Sequence, residues 1–336
     1  MRKSKHLLLV LALFALPLAS RAATVFSDNF SGSTLNSASP AAPTTTSTDY
    51  AVLSTKNASG SSIGASQLRL TMPATTSGFV EAQALFATTP LTLAATGDYV
   101  QLSATFTTTA GILAGPGTSS SLNFGLLYSG GVAPVAGGVL ANTGLTTTLG
   151  SPYDTGNAAG WLGYVGRILE NTGSSRVFTR PNQNGPDTTS ESQDLLFDNV
   201  GGGAFDDPTG VAITANQQFG SILTAGSQYT YTLKLTLDAG TGFLTTDQNL
   251  YSGAGTGGAN LFTQTGTSTL ASTPTLQFDG FALGYRFAET VGAASTLDVS
   301  GLEITAQITP VPEPAFASLL LAGAGARLLM HRRRRA

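Results

Sequence analysis

Between Tyr229 and Leu237 every second residue is apolar. Tyr229, Tyr231, Leu233, Leu235 and Leu237 alternate with Thr230, Thr232, Lys234 and Thr236. A period of two sends successive side chains to opposite faces, so this stretch predicts a strand with one buried side. The same alternation recurs in Leu68, Leu70 and Met72, and in Val100, Leu102, Ala104 and Phe106 within Tyr99–Thr109. It returns in Phe281, Leu283, Tyr285 and Phe287, set against Ala282, Gly284 and Arg286, and in Leu302, Ile304, Ala306 and Ile308. Thr24–Ser31, Leu122–Tyr128 and Trp161–Ile168 add strands of less regular pattern. Asp238-Ala239-Gly240-Thr241-Gly242 reads as a hairpin turn into Phe243 and Leu244. Gly130–Asn157 predicts a long loop or a weak hairpin, and Asn171–Asp194 a polar loop with a turn at Asn182–Asp187. No segment of helical period and no fixed repeat lies between residues 23 and 309. The expected body is therefore all-β, an antiparallel β-sandwich.

Both ends read as processing segments. Arg2, Lys3 and Lys5 precede an apolar run from Leu7 to Ala19, and Ser20-Arg21-Ala22 supplies small residues at the −3 and −1 positions. That predicts a signal peptide over residues 1–22, cut after Ala22. At the other end, Val311-Pro312-Glu313-Pro314 precedes an apolar stretch and then Arg332, Arg333, Arg334 and Arg335. Pro312 and Pro314 disfavour helix before them, so a helix starts at Ala315. Ala315–Met330 as helix spans about 24 Å, shorter than the roughly 30 Å of a bilayer core. Arg327 lies one turn from its end, where a long stem carries charge to the interface. The arginine run acts as a stop that stays cytoplasmic, leaving residues 23–309 outside as the ectodomain.

This tail, residues 310–336, resembles the PEP-CTERM sorting signal of Gram-negative bacteria. The resemblance implies that Pro312, Glu313 and Pro314 are read by an exosortase, a membrane processing enzyme. It also implies an exported protein, transiently held at the inner membrane by its transmembrane helix and then released to the cell surface or extracellular matrix. An ordinary C-terminal membrane anchor is the plainer alternative. The body, from Asp28-Asn29-Phe30-Ser31-Gly32 through the hairpin after Leu237 to the Phe281–Ile304 pair, resembles the concanavalin-type (LamG-like) jelly roll. An immunoglobulin-like sandwich is the second architecture.

Charge and composition narrow the chemistry. Between Ala23 and Thr309, seven cations (Lys56, Arg69, Arg167, Arg176, Arg180, Lys234, Arg286) stand against eighteen acids, a net charge of −11. A nucleic-acid partner needs the opposite sign. There is no cysteine, and the two histidines, His6 and His331, both lie in the processing segments. Nucleophilic triads and thiolate or imidazole metal sites in the body are thereby excluded.

Carboxylate chemistry stays open, since a glycosidase or lyase needs two acids across a cleft. Asp194, Asp198, Asp206 and Asp207 cluster in sequence but not in the spacing of a jelly-roll glycosidase. Asp198, Asn199, Asp206 and Asp207 offer hard oxygen ligands for a structural calcium ion, although no calcium-loop spacing is present. No other cofactor is expected. For sugar binding, Trp161, the one tryptophan, and Tyr164 are candidate ring surfaces, while Arg176 and Arg180 are candidate polar contacts; Trp161 beside Leu162 and Val165 equally suits a core. The expectation is a non-enzymatic structural or adhesive protein of an exopolysaccharide-rich envelope. A lectin-like carbohydrate-binding module is the alternative, and a carboxylate glycosidase the third.

Overall fold

The alternating stretches form the strands of two large sheets that close on one apolar core. The computed structural model describes residues 21–37, 41–54, 60–73, 78–109, 120–131, 138–141, 144–145, 161–169, 174–180, 196, 212–215, 217–218, 222–269, 275–287 and 294–309. Residues 1–20 and 310–336, which include the sorting motif and the arginine run, and Asp194, Asp198, Asn199, Asp206 and Asp207 lie outside these residues.

The strands are β1 (Ala23–Asp28), β2 (Thr34–Leu35), β3 (Asp49–Ser54), β4 (Ser62–Gly64), β5 (Gln67–Met72), β6 (Gly78–Leu85) and β7 (Leu91–Thr92). They continue with β8 (Tyr99–Thr108), β9 (Ser121–Tyr128), β10 (Gly138–Ala141), β11 (Gly144–Leu145), β12 (Leu162–Leu169), β13 (Ser174–Arg180) and β14 (Gln217–Gln218). The last are β15 (Gln228–Asp238), β16 (Phe243–Ser252), β17 (Asn260–Thr267), β18 (Gln277–Phe278), β19 (Gly280–Phe287) and β20 (Ser295–Gln307). No helix occurs among the described residues, as the sequence predicts.

The eight-stranded sheet runs β17-β16-β15-β8-β20-β5-β4, with β1 also on β20. The ten-stranded sheet runs β11-β10-β3-β6-β19-β9-β12-β13-β14, with β2 on β3. Pairing is antiparallel except where β3 meets β2 and β10. The inner faces meet through aromatic pairs: Phe26 with Phe281 at 5.9 Å, Phe106 with Phe124 at 5.7 Å, and Phe124 stacked on Tyr231 at 4.2 Å. Such offset or tilted ring pairs add stabilisation beyond the area they bury.

One polar chain crosses this core. Tyr231 Oη donates to Gln248 Oε1 (2.9 Å), Gln248 Nε2 to Gln264 Oε1 (2.5 Å), and Gln264 Nε2 to the Ser175 carbonyl (3.1 Å). Each member is buried, so the links stabilise only as a set. At the entry to the fold, the Asp28 carboxylate accepts from the Phe30 N–H (2.6 Å), Ser33 Oγ (2.5 Å) and Tyr50 Oη (2.9 Å). Burial, with the Asp28 charge beside it, pushes the Tyr50 phenol well above its ordinary pKa.

Two expectations need correction. Ser174–Arg180 is a strand, not part of a polar loop, because Val177 and Thr179 face inward opposite Gly166 and Tyr164. The closing Phe281–Ile304 strands do not pair with each other: β19 lies in the ten-stranded sheet, while Leu302–Gln307 ends the thirteen-residue β20, which starts at Ser295 in the eight-stranded one. Within Gly130–Asn157 the described part is the short antiparallel pair β10 and β11, the weak-hairpin alternative.

Candidate functional site

The ten-stranded sheet is buried on both faces along β6 and β9, and polar residues stand among the apolar ones of its outer face. Phe281, Leu283 and Tyr285 of β19 are buried inward, so Gly280, Ala282 and Gly284 define the outer side of the central strand. Three registered rows cross that face. The first runs Glu81, Gly284, Asn123, Arg167, Arg176. The second runs Gln83, Ala282, Gly125, Val165, Phe178, and the third Leu85, Gly280, Leu127, Gly163, Arg180. Residues paired directly across strands share a face, so the rows define a surface. Its floor along β19 carries nothing beyond a single methyl. On one side stand the carboxylate and amide of Glu81 and Gln83. On the other stand Asn123 and then three arginines.

The floor is built for close approach. A Cβ on Gly284 would lie 2.8 Å from Cα and Cβ of Glu81, and one on Gly280 would lie 2.6 Å from the Trp161 ring. On Gly125 it would lie 3.1 Å from Cδ2 of Leu196. Real side chains essentially never approach so closely at the first two positions: the Trp161 ring and Glu81 already occupy the space that a side chain on Gly280 or Gly284 would take.

The polar rim is fully buried at Glu81, Gln83 and Asn123, and a buried carboxylate requires partners. Glu81 Oε1 accepts from Gln83 Nε2 (2.6 Å), and Oε2 accepts from the Leu196 backbone N–H (3.1 Å). From the opposite rim, Asn123 Nδ2 donates to the Leu196 carbonyl (2.8 Å). Leu196 is thus gripped across the floor by both backbone groups, with its side chain in the notch over Gly125. Asn123 Oδ1 is buried and finds no donor among the described residues. Such an orphaned acceptor costs about 1–3 kcal/mol.

The arginine half is organised by one ring. Phe178 lies 4.8 Å from the Arg167 guanidinium and 4.4 Å from that of Arg176, both in cation–π range. Arg180 Nη1 donates to the Trp161 carbonyl. With Arg286 registered opposite Ser121 and Phe79 on the same face, four of the seven body cations collect on one side of an acidic domain. The other two described cations lie on the eight-stranded sheet: Arg69 pairs bidentately with Asp298 (2.6 and 2.7 Å), and Lys234 sits 4.0 Å over Tyr99.

Of the residues singled out in the sequence, the structure brings Arg176, Arg180 and Trp161 together on this face. Trp161 is fully buried against Gly280, so its ring packs into the edge of the floor and presents no free surface. Tyr164 sits apart, on the inner face, donating from Oη to the Thr275 carbonyl (3.0 Å) 6.1 Å from the Phe278 ring. Sequence reasoning missed Glu81, Gln83, Asn123 and Arg167. Two polar residues two apart in the apolar stretch Phe79–Leu85 were the available signal. Across the floor from Glu81, strands β9, β12 and β13 carry no acid.

No family model matches the chain, and no curated protein matches it. Among solved structures, peanut lectin with a nonamer peptide overlaps 78% of this chain and 99% of its own at 9% identity and a TM-score of 0.38. The Ulex europaeus lectin UEA-II complexed with galactose overlaps 77% and 93% at 13% identity and 0.37. A Lotus tetragonolobus seed lectin overlaps 78% and 94% at 11% identity and 0.36. At these TM-scores the fold assignment rests on the two sheets themselves.

Proposed function

We propose that this is an exported adhesive protein whose outer sheet face binds carbohydrate, delivered by the PEP-CTERM-type tail. The observation that carries the reading is the set of planar polar side chains gathered on the outer face beside β19, with Glu81 and Gln83 on one side and Asn123, Arg167, Arg176 and Arg180 on the other. Hydroxyl-rich ligands are recognised by a few convergent planar donors and acceptors. Arg167, Arg176 and Arg180 add donors that favour acidic sugars. On this reading the body is a concanavalin-like jelly roll acting as a non-enzymatic, lectin-like module in an exopolysaccharide-rich matrix.

Two measurements test it. Full-length protein in mild detergent should bind the host's purified exopolysaccharide, and Arg176→Ala should weaken that binding at least about tenfold, roughly one charge-assisted hydrogen bond. Absence of binding in wild type, or equal binding by the variant, overturns the carbohydrate reading. For delivery, the C-terminal mass of protein from the native host is compared with that of Glu313→Ala. Loss of the residues after the Pro-Glu-Pro motif only in wild type supports the sorting reading; an intact tail in both makes the tail a plain membrane anchor.

A further inference from the structure

Three of the four ends of the two large sheets are blunted. They are β4, β11 and β14, strands of three, two and two residues. Very short edge strands give a neighbouring chain little to pair with. The fourth end, β17, is different: eight residues, Asn-Leu-Phe-Thr-Gln-Thr-Gly-Thr, with no charge and no proline. The Ser268 N–H donates to the Leu244 carbonyl (2.8 Å), which fixes the phase of the β16–β17 ladder. Phe262, Gln264 and Gly266 therefore bond toward β16. The N–H and C=O groups of Thr263, Thr265 and Thr267 point away from the sheet and meet no partner among the described residues. We propose that this edge is a self-association surface, through which two copies of the chain pair antiparallel about a two-fold axis at Thr265 and join their eight-stranded sheets into one.

In that register β17 is complementary to itself. Thr265 meets its own copy and Thr263 meets Thr267 on either side, so each pair exchanges two backbone hydrogen bonds and sets threonine beside threonine on the exposed face. On the inner face Gln264 falls opposite Gly266, which leaves the long amide room. A bulge at Leu261 confines the flat part of the strand to Phe262–Thr267. That part is held in place from beneath. Where a Cβ on Gly266 would stand lie Thr214 Cγ2 (2.7 Å) and the Ile213 carbonyl (2.8 Å), and Gln264 Nε2 donates to the Ala215 carbonyl (2.5 Å). Ala212 and Ala215 are exposed and Ile213 is half-buried, so this segment adds small apolar surface under the joint. Charge permits the pairing even in an acidic domain. Asp247, the acid opposite Thr265, has Lys234 on its other side. At roughly 4.8 Å per strand it stands about 14 Å from its own copy, beyond the Debye length. Direct cross-strand pairs share a face, so both ten-stranded sheets come to lie on the same side of the joined sheet. The pairing itself stands apart from the carbohydrate reading.

The test is sedimentation of the full-length chain in density-matched mild detergent, with variants at exposed positions of the outer face. Wild type is expected as a concentration-dependent dimer. Thr265→Lys, which sets like charges opposite each other at the axis, should weaken that dimer at least about tenfold. The chain has no cysteine, so a single introduced thiol reports the register. Residues bonded directly across antiparallel strands lie about 5.5 Å apart at Cα, within disulfide range. Thr265→Cys should therefore give a disulfide-linked dimer with dissolved oxygen as the oxidant. Thr245→Cys, equally exposed but on β16 and about 14 Å or more from its copy, should not. A wild-type monomer at every concentration overturns the proposal, as does equal cross-linking of the two cysteine variants. A dimer that Thr265→Lys leaves intact overturns it too, and places the association elsewhere, such as the C-terminal tail.

Discussion

Gly166 of β12 is the position where one added methyl should do most damage to the core. A Cβ there would overlap Tyr231 Oη and lie 2.8 Å from Gln248 Oε1 and 3.2 Å from Tyr231 Cζ. Gly166→Ala must therefore push the phenol aside and break the first link of the Tyr231–Gln248–Gln264 chain. Overpacking of this kind costs about 1–3 kcal/mol. Leaving a buried hydroxyl or amide unpaired costs about 1–3 kcal/mol more. The expected loss is thus roughly 2–6 kcal/mol, which at about 2–4 °C per kcal/mol lowers Tm by about 4 °C at the least. The assay is thermal and urea unfolding of wild type, Gly166→Ala, Tyr231→Phe and the double variant. Tyr231→Phe removes the overlapping oxygen, so the double variant should be more stable than the sum of the single changes predicts by at least about 1 kcal/mol. A loss under about 0.5 kcal/mol in Gly166→Ala, or strict additivity in the cycle, would refute the packing argument.

Asp279 gives a pH prediction. Its carboxylate is buried and accepts the Ser129 N–H (2.7 Å) and Oγ–H (2.8 Å), and desolvation raises its pKa despite those bonds. A folded-state pKa above the unfolded one means that stability is greatest below the unfolded value and falls as pH rises through the folded value. Wild type should therefore lose stability relative to Asp279→Asn on going from about pH 3 upward, then level off once the buried carboxyl has ionised; a flat difference across that range counts against the assignment. The Arg69–Asp298 pair, bidentate but with a 44% exposed arginine, should matter little: Arg69→Ala should cost no more than about 1 kcal/mol by urea unfolding.

What could be read from the sequence follows from which face of each strand meets solvent. On the eight-stranded sheet the outer face is wet along β5, β8 and β20, and β15 alternates in sequence although Thr230 and Thr232 are buried, so the bounds of these strands come out within a few residues, apart from the start of β20. On the ten-stranded sheet both faces are covered, and the period-two signal fades. β6 is buried at every position from Phe79 to Ala84, which hides both the strand and the polar pair Glu81 and Gln83. β13 reads as loop because its outward residues are Arg176, Phe178 and Arg180, whose charges mimic a solvated segment. The site lies on this second sheet, so only Arg176, Arg180 and Trp161 were visible in advance. The pairing that sets Glu81 opposite Asn123 across Gly284 joins residues from three distant stretches and has no local signature.

The place of β20 has a consequence for how the chain reaches its native state. This last strand lies between β8 on one side and β5 and β1 on the other, and Ala306 pairs with Ala23 at the opposite end of the domain. Neither β1 nor β5 has another route into the centre of the eight-stranded sheet. A chain emerging from its N-terminus must hold those strands, with Phe26, Leu68 and Leu70 uncovered, until residue 307 has been made. Folding dominated by such distant pairings is slow and leaves strand edges open meanwhile. Gln67, Arg69 and Thr71 stand between the apolar residues of β5, so the polar alternation of the finished sheet is already present in the strand that waits.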